Sequence, residues 1–305
     1  MGKKKNVWVI ADQMEICLEL LSGAGRLGER ISVVYAGARE VLFPADEAFY
    51  LGEITEEKRW QGYIPSILEL IGEKKPDLVM AGTTKNGRLI AGAIAAACQT
   101  SVITDISEIG MEDEVTAKRM IYGGTAYRTE KSISRISVVC AGAGVFEALP
   151  SDKSAVITDV GAKEQDSRIK CTGVKQKQGT NVNLAAAKKV ISVGRGIGAQ
   201  ENLAGIQELA ACLDAAVGCS RPIAEEMKWL PREVYVGVSG MMIQPDVYIA
   251  VGISGQIQHM VGCNQSGVFI GINKDKNAPL FRYVDYGIVG DCKKIVPMLL
   301  EKMRG

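Results

Sequence analysis

The chain has 305 residues, 47% hydrophobic and 23% charged, with a formal net charge of +1. That length suits two domains, and the composition is that of an ordinary globular protein. The near-neutral balance argues against a general nucleic-acid or membrane-surface binder. No apolar run approaches the ~18 residues of a membrane span, and the basic residues 3–5 lead directly into an apolar run, without the h-region of a signal peptide.

The eight cysteines, at 17, 98, 140, 171, 212, 219, 263 and 292, form no Cys-x-x-Cys pair, and there is one histidine, His259. A zinc or iron–sulfur site is therefore not expected. The cysteines read as reduced, mostly buried thiols of a cytoplasmic protein. A Ser-His-Asp arrangement would need His259 as its base, and Gly252-Ile253-Ser254-Gly255 is not Gly-x-Ser-x-Gly.

Along the first half, short apolar runs alternate with segments of helical spacing. Strands are predicted over 7–11, 31–35, 78–81 and 102–103, and helices over 15–28, 64–72 and 89–98. This alternation implies βαβ units and a mostly parallel sheet. The 82–88 loop, GTTKNGR, lacks the spacing of a phosphate-binding loop. It reads better as a βα connection capped by Thr or Asn than as an anion site. Glycines at 123 and 124 suggest a turn between antiparallel strands, with 112–118 before it and 136–140 after. Residues 150–177 read as an edge strand and a linker. The expected division is 1–180 and 181–305.

In the second half a strand over 190–193 enters Gly194-Arg195-Gly196-Ile197-Gly198, and a helix is predicted over 203–213 from its apolar face. The glycine run is not Gly-x-Gly-x-x-Gly, so it is weak evidence for a dinucleotide turn. A strand over 216–219 stops at Ser220 and Arg221, with Pro222 suited to the first turn of a helix. Further strands are expected over 247–251, 268–272 and 281–284, and a closing helix over 295–303. The segment from Gly252 to His259 reads as a strand-to-helix turn that presents backbone N–H groups and a helix dipole to an anion. Polar residues thus recur at strand ends: Arg195, Ser220, Arg221, Ser239, Ser254, His259, Asn273 and Asp291. In open parallel sheets that edge binds ligands, and a series of this length suits an extended one such as a dinucleotide.

Four runs then carry a resemblance: VGCSR at 217–221, YIAVGISGQIQH at 248–259, INKD at 272–275 followed by Ala278 and Pro279, and DYGIVGD at 285–291. Together they resemble the alpha subunit of electron-transfer flavoprotein, and the similarity spans essentially the whole chain. SRPIAE at 220–225 and GQIQHMVG at 255–262 look most like the bacterial branch linked to carnitine metabolism and nitrogen fixation.

The resemblance implies a heterodimer with a smaller beta subunit, on which the N-terminal α/β domain packs. It implies FAD held by a Rossmann-like C-terminal domain. Electrons would come from an acyl-CoA dehydrogenase-type donor and pass to a downstream quinone- or ferredoxin-type acceptor, with or without bifurcation. The chain would be an electron carrier rather than a stand-alone catalyst.

The residues carried over as cofactor-binding are Arg195, Ser220, Arg221, Val236, Gly237, Val238, Ser239, Ser254, Gly255, Gln256, Ile257, Gln258, His259, Asn273, Asp291 and Cys292. Arg221 resembles the arginine beside the isoalloxazine, and Ser239 the hydroxyl near flavin N5. His259 resembles the histidine at the flavin O2 edge. Protonated or donating, it would stabilise negative charge at N1–C2=O. Residues 254–258 resemble the pyrophosphate and ribityl turn, Asn273 and Asp291 the adenosine contacts, and Arg195 the first-turn arginine. Val238 departs from the family, where many members carry glutamine, and the 221–231 segment is one residue longer than the mitochondrial-type pattern. A dehydrogenase subunit using NAD(P) is the alternative, weakened by the spacing at 194–198. A nucleotide-sensing module is a third reading.

Overall fold

The structure is a computed structural model that describes residues 5–150, 153–161, 163, 171–174, 184 and 187–304. Two compact units emerge, one of Met1–Ile121 with Tyr127–Gln176 and one of Tyr122–Ala126 with Lys177–Gly305. The expected boundary at 180/181 lies outside the described residues.

In the first unit β1 (Asn6–Ala11) is central, with β2 (Arg30–Tyr35) on one side and β4 (Leu78–Gly82) on the other, both parallel to it. β3 (Glu47–Tyr50) and β9 (Val156–Asp159) extend the β2 side, and β9 is the edge strand foreseen in 150–177. On the other side come β8 (Ser137–Ala141), β5 (Val102–Met111), β6 (Val115–Ile121) and β7 (Ala126–Ser132), where β8 and β5 are parallel and β5 and β6 antiparallel. Side chains of β1 alternate between two cores: Val7 and Val9 pack with Cys17, Leu20 and Ala24 of α1 (Met14–Leu27), and Trp8 and Ile10 pack with residues of α2 (Trp60–Lys74) and α3 (Lys85–Ala97). Helices therefore cover both faces, which is why β1 is apolar throughout rather than alternating.

Of the local readings, one changes, one strand goes unforeseen and one is borne out. The glycine turn joins β6 to β7, whereas 137–141 forms β8, a separate parallel strand inserted between β4 and β5. β3 carries no clear signal, because four residues beginning with Glu47 are too few to show a period. The 82–88 loop is a capped βα connection, in which Thr84 Oγ1 accepts from the Gly87 N–H at 2.8 Å.

The second unit is a parallel sheet of β10 (Lys189–Val193), β11 (Ala216–Cys219), β12 (Val247–Val251), β13 (Val268–Asn273) and β14 (Tyr286–Val289), ordered β11-β10-β12-β13-β14. α4 (Leu203–Leu213) has the predicted bounds and buries Leu203, Ile206, Leu209 and Ala210, four residues of its apolar face. α6 (Cys292–Arg304) packs against α4. The strand expected over 281–284 is instead a turn of 3-10 helix, Pro279–Arg282, with Pro279 in its first turn and Leu280 buried beneath. The proline presets a helical φ, so the strand begins only at Tyr286. Residues 235–240 make isolated bridges, Cys219 to Tyr235 and Val236 to Met241, rather than a strand.

Candidate functional site

Strand order in the second unit reverses between β10 and β12, the place where open α/β sheets leave a crevice at their carboxyl ends. A cleft of about 410 Å³ lies there. After β10 it is lined by Gly194, Arg195 and Gly196, and after β11 by Ser220, Arg221 and Pro222. Tyr235, Val236 and Gly237 follow, then Gly252, Ile253, Ser254, Gln256, Gln258 and His259 after β12. Asn273, Asp275, Ala278 and Pro279 close the β13 side.

The turns after β10 and β12 touch through their backbones. Gly194 N–H donates to Val251 O and Gly196 N–H to Gly252 O, each at 2.9 Å. A Cβ on Gly194 would stand 2.4 Å from Gly252 O. Gly255 has φ +84, and a Cβ there would lie 2.1 Å from Leu280 N, so a side chain is excluded by both backbone conformation and space. Asn273 ties two turns together: its Nδ2 donates to Ile253 O at 2.8 Å and its Oδ1 accepts from Asp275 N at 2.9 Å. The helix after this turn, α5 (Ile257–Met260), is only four residues long. The expected helix-dipole contribution therefore has no helix of useful length behind it, and the turn is shaped by glycine geometry and backbone approach.

The two cleft arginines differ. Arg195 is exposed and has no ion-pair partner among the described residues. Arg221 Nε lies 2.6 Å from Glu225 Oε2, and Arg232 also reaches Glu225, at 3.1 Å. Hydrogen bonding and charge from Arg221 hold the Glu225 carboxyl below its usual range, so Arg221 works beside an ionised partner.

His259 is 8% exposed. Its Nε2 lies 2.8 Å from the hydroxyl of Tyr248, which is fully buried on β12. Nδ1 is buried without a hydrogen-bond partner. Burial pulls the imidazole pKa down to about 4, so the ring is neutral at pH 7. Of the two roles expected for His259, protonated or donating, only the donating one suits this environment. Burial also drives Tyr248 well above the ordinary phenol value. The pair is therefore not poised for acid–base work near neutrality.

Of the residues singled out from sequence, ten line this cleft: Arg195, Ser220, Arg221, Val236, Gly237, Ser254, Gln256, Gln258, His259 and Asn273. Gly255 and Ile257 belong to the same turn without lining it, Gly255 being pressed on Leu280. Val238 and Ser239 stand in an exposed turn, with Val238 47% exposed and the Ser239 carbonyl accepting from the Tyr235 hydroxyl. Asp291 caps α6 by accepting from Lys293 N at 3.0 Å, and buried Cys292 directs its Sγ to Gly196 O at 3.3 Å. Sequence reading missed Tyr248 and, beneath it, Ser192. The only signs were a phenol and a hydroxyl inside otherwise apolar strands, where a polar group implies a buried partner. Among the described residues no group of His, Cys, Asp and Glu could hold a metal ion. None of the described helices is long and apolar enough to cross a membrane.

Comparison with known proteins matches residues 7–165 to the electron transfer flavoprotein domain and residues 183–264 to the electron transfer flavoprotein FAD-binding domain. The chain is 37% identical over 313 residues to an electron transfer flavoprotein subunit of Escherichia coli (strain K12), YdiR, covering 99% of each chain. It is 36% identical over 307 residues to protein FixB of Salmonella typhi, covering 98% of each. With both domains matched in order and identity sustained from end to end, the chain belongs to the electron transfer flavoprotein family as an alpha-type subunit, and its second unit carries the family's FAD-binding domain.

Proposed function

We propose that this chain, paired with a smaller beta subunit in the cytoplasm, takes electrons from an acyl-CoA dehydrogenase-type or similar donor and passes them to a quinone- or ferredoxin-type acceptor. The observation that carries this reading is the single cleft that gathers two arginines, the His259 ring and the ends of four strands at the order reversal of one sheet. These features fit FAD. The close-packed glycines leave backbone at the cleft edge where side chains would otherwise stand, and His259 Nδ1, in the ring of the cleft wall, is buried without a well-formed hydrogen bond. Bound FAD supplies reversible electron carriage.

In this reading residues 254–258 and Arg195 hold the phosphates and ribityl chain. Arg221, Ser239 and His259 serve the ring, and Asn273 and Asp291 serve the adenosine end. Val236, Gly237, Val238, Ser220 and Cys292 complete the contact set. Arg221 favours negative charge on its ligand, moderated by Glu225. The first unit is the surface for the beta subunit, with the domain division at 180/181. Eight free thiols agree with a reducing compartment. The NAD(P) alternative is not favoured: Gly194–Gly198 lacks the dinucleotide spacing.

Purification with the partner subunit tests the proposal. A yellow complex with FAD released on denaturation is expected, one FAD per heterodimer for simple carriage and two for bifurcation. A colourless complex that binds NADH with high affinity and takes up no FAD would overturn it. Donor and acceptor classes are checked by flavin reduction with acyl-CoA and its dehydrogenase, and by reoxidation with a quinone or ferredoxin-type oxidoreductase.

A further inference from the structure

The proton on His259 can be traced from its neighbours. Nε2 and the Tyr248 hydroxyl are 2.8 Å apart, a distance at which one of them must donate. Either the phenol O–H gives to the ring nitrogen, or the ring N–H gives to the phenol oxygen. The phenol proton is far more acidic than that of a neutral imidazole N–H, and a bare imidazole nitrogen is a better base than a phenol oxygen. The competing acceptor for the phenol proton is the Cys263 sulfur, a weak one. The Ser192 hydroxyl, on the neighbouring strand β10, lies near Tyr248 without a well-formed hydrogen bond and so does not compete for the phenol proton.

The other ring nitrogen gives the same answer. Nδ1 has no well-formed hydrogen bond, and the acceptor facing the ring is the Val236 carbonyl. Bare, Nδ1 would be a buried acceptor set against another acceptor, at an unreturned desolvation cost. Carrying the proton, it is a buried donor that faces an acceptor, on a ring that forms part of the cleft wall.

We propose that Tyr248 is a positioning residue that holds His259 as the neutral Nδ1–H tautomer, so that the ring in the cleft wall is an oriented, uncharged dipole rather than an imidazolium. The identity of that ligand rests on the FAD reading above, whereas the tautomer does not. Burial, which keeps the ring from taking a second proton at pH 7, supports the neutral state. The ring dipole is then fixed in direction before any charge develops in the cleft, so it needs no reorganisation when that charge appears.

His259 is the only histidine of the chain, so histidine labelled with ¹⁵N in this chain, assembled with an unlabelled partner subunit, gives one pair of ring resonances. At pH 7 the expected spectrum has a proton-bearing Nδ1 and a pyridine-like Nε2. An Nε2–H tautomer or an imidazolium overturns the proposal. In Tyr248→Phe the Nδ1–H pattern should give way to a mixture containing Nε2–H, and the flavin midpoint potential should fall. Retention of the wild-type ring pattern in that variant removes Tyr248 from the role. If the variant does not fold, replacement of tyrosine by 3,5-difluorotyrosine in the labelled chain strengthens the phenol as donor. The Nε2 resonance should then move with Nδ1–H retained, and an unmoved resonance overturns the role. Failure of the chain to take up FAD would refute the proposed function and still leave the ring spectrum to be read. A flavin-loaded complex with Nε2–H His259 would refute the tautomer alone.

Discussion

In the first sheet the strand order reverses between β1 and β4, and the turns that follow them carry Asp12 and Thr84. In the second the reversal lies between β10 and β12, followed by Gly194-Arg195-Gly196 and Gly252-Ile253-Ser254. Topology offers a crevice at both places. At the first, the protein fills its own hydrogen bonds: the Thr84 hydroxyl donates to Asp12 and accepts from Gly87 N. A carboxylate stands where an anion would sit, with its pKa raised by burial. At the second, glycines draw the two turns together, Arg195 is unpaired among the described residues, and a buried imidazole nitrogen lacks a partner. A switch point becomes a binding site only where side chains leave donors unmet.

The largest expected effect lies at the open edge. Gly255→Ala places a side chain at positive φ and against Leu280 N. It should cost about 2–4 kcal/mol of stability in chemical denaturation and release the flavin. Gly92→Ala is the matching control in the first unit: it lies within α3, where a Cβ meets nothing within 4 Å, and it should add about 0.5–1 kcal/mol. Equal effects from the two would mean that the turn after β12 is not packed as described.

Next comes pH. The folded pKa of His259 is about 4 against a reference value of 6.5. The unfolded chain therefore binds more protons between those values, and stability falls as pH drops from 6.5 toward 4. The shift corresponds to a loss on the order of 3 kcal/mol, to be measured as denaturation midpoints across that window. His259→Gln should flatten the dependence. Asp12 has the opposite sign: its raised pKa makes its ionisation unfavourable, so its contribution falls as pH rises just above the ordinary carboxylate range.

Thr84→Val removes the α3 cap and the donor to Asp12. It should cost about 1–2 kcal/mol, with the flavin potential unchanged, as redox titration would show. The smallest effects concern charge at the cleft mouth. Arg221→Ala should lower the flavin midpoint potential and Glu225→Gln should raise it, each by tens of millivolts and less at high salt, because Arg221 and Glu225 form an exposed ion pair with opposite leverage on the same ligand. Shifts of the same sign would break the assignment of Arg221 to the ring.

Much of this was legible along the chain. α4 ends where its apolar face ends, and β10, β12 and β13 stand where short β-rich runs predicted them. Six of the eight polar residues picked out by their position after strands, Arg195, Ser220, Arg221, Ser254, His259 and Asn273, share one cleft. These features depend on periods of two or 3.6 residues and on which end of a strand a residue occupies, and both are written locally. Pro279 shows the limit: an apolar run suggested a strand at 281–284, but the proline upstream commits the backbone to a helical turn.

The amino-acid sequence by itself determined an α/β chain of two halves, apolar strands followed by polar turns, a lone histidine in one of those turns, and the family to which the pattern belongs. Strand neighbours were settled only by tertiary structure, because pairing depends on contacts distant in sequence: β8 enters between β4 and β5, and β10 beside β12. The state of His259 was settled in the same way. Its charge follows from desolvation, and its tautomer from a hydroxyl on β12 and a carbonyl near residue 236, groups that no local pattern brings to an imidazole.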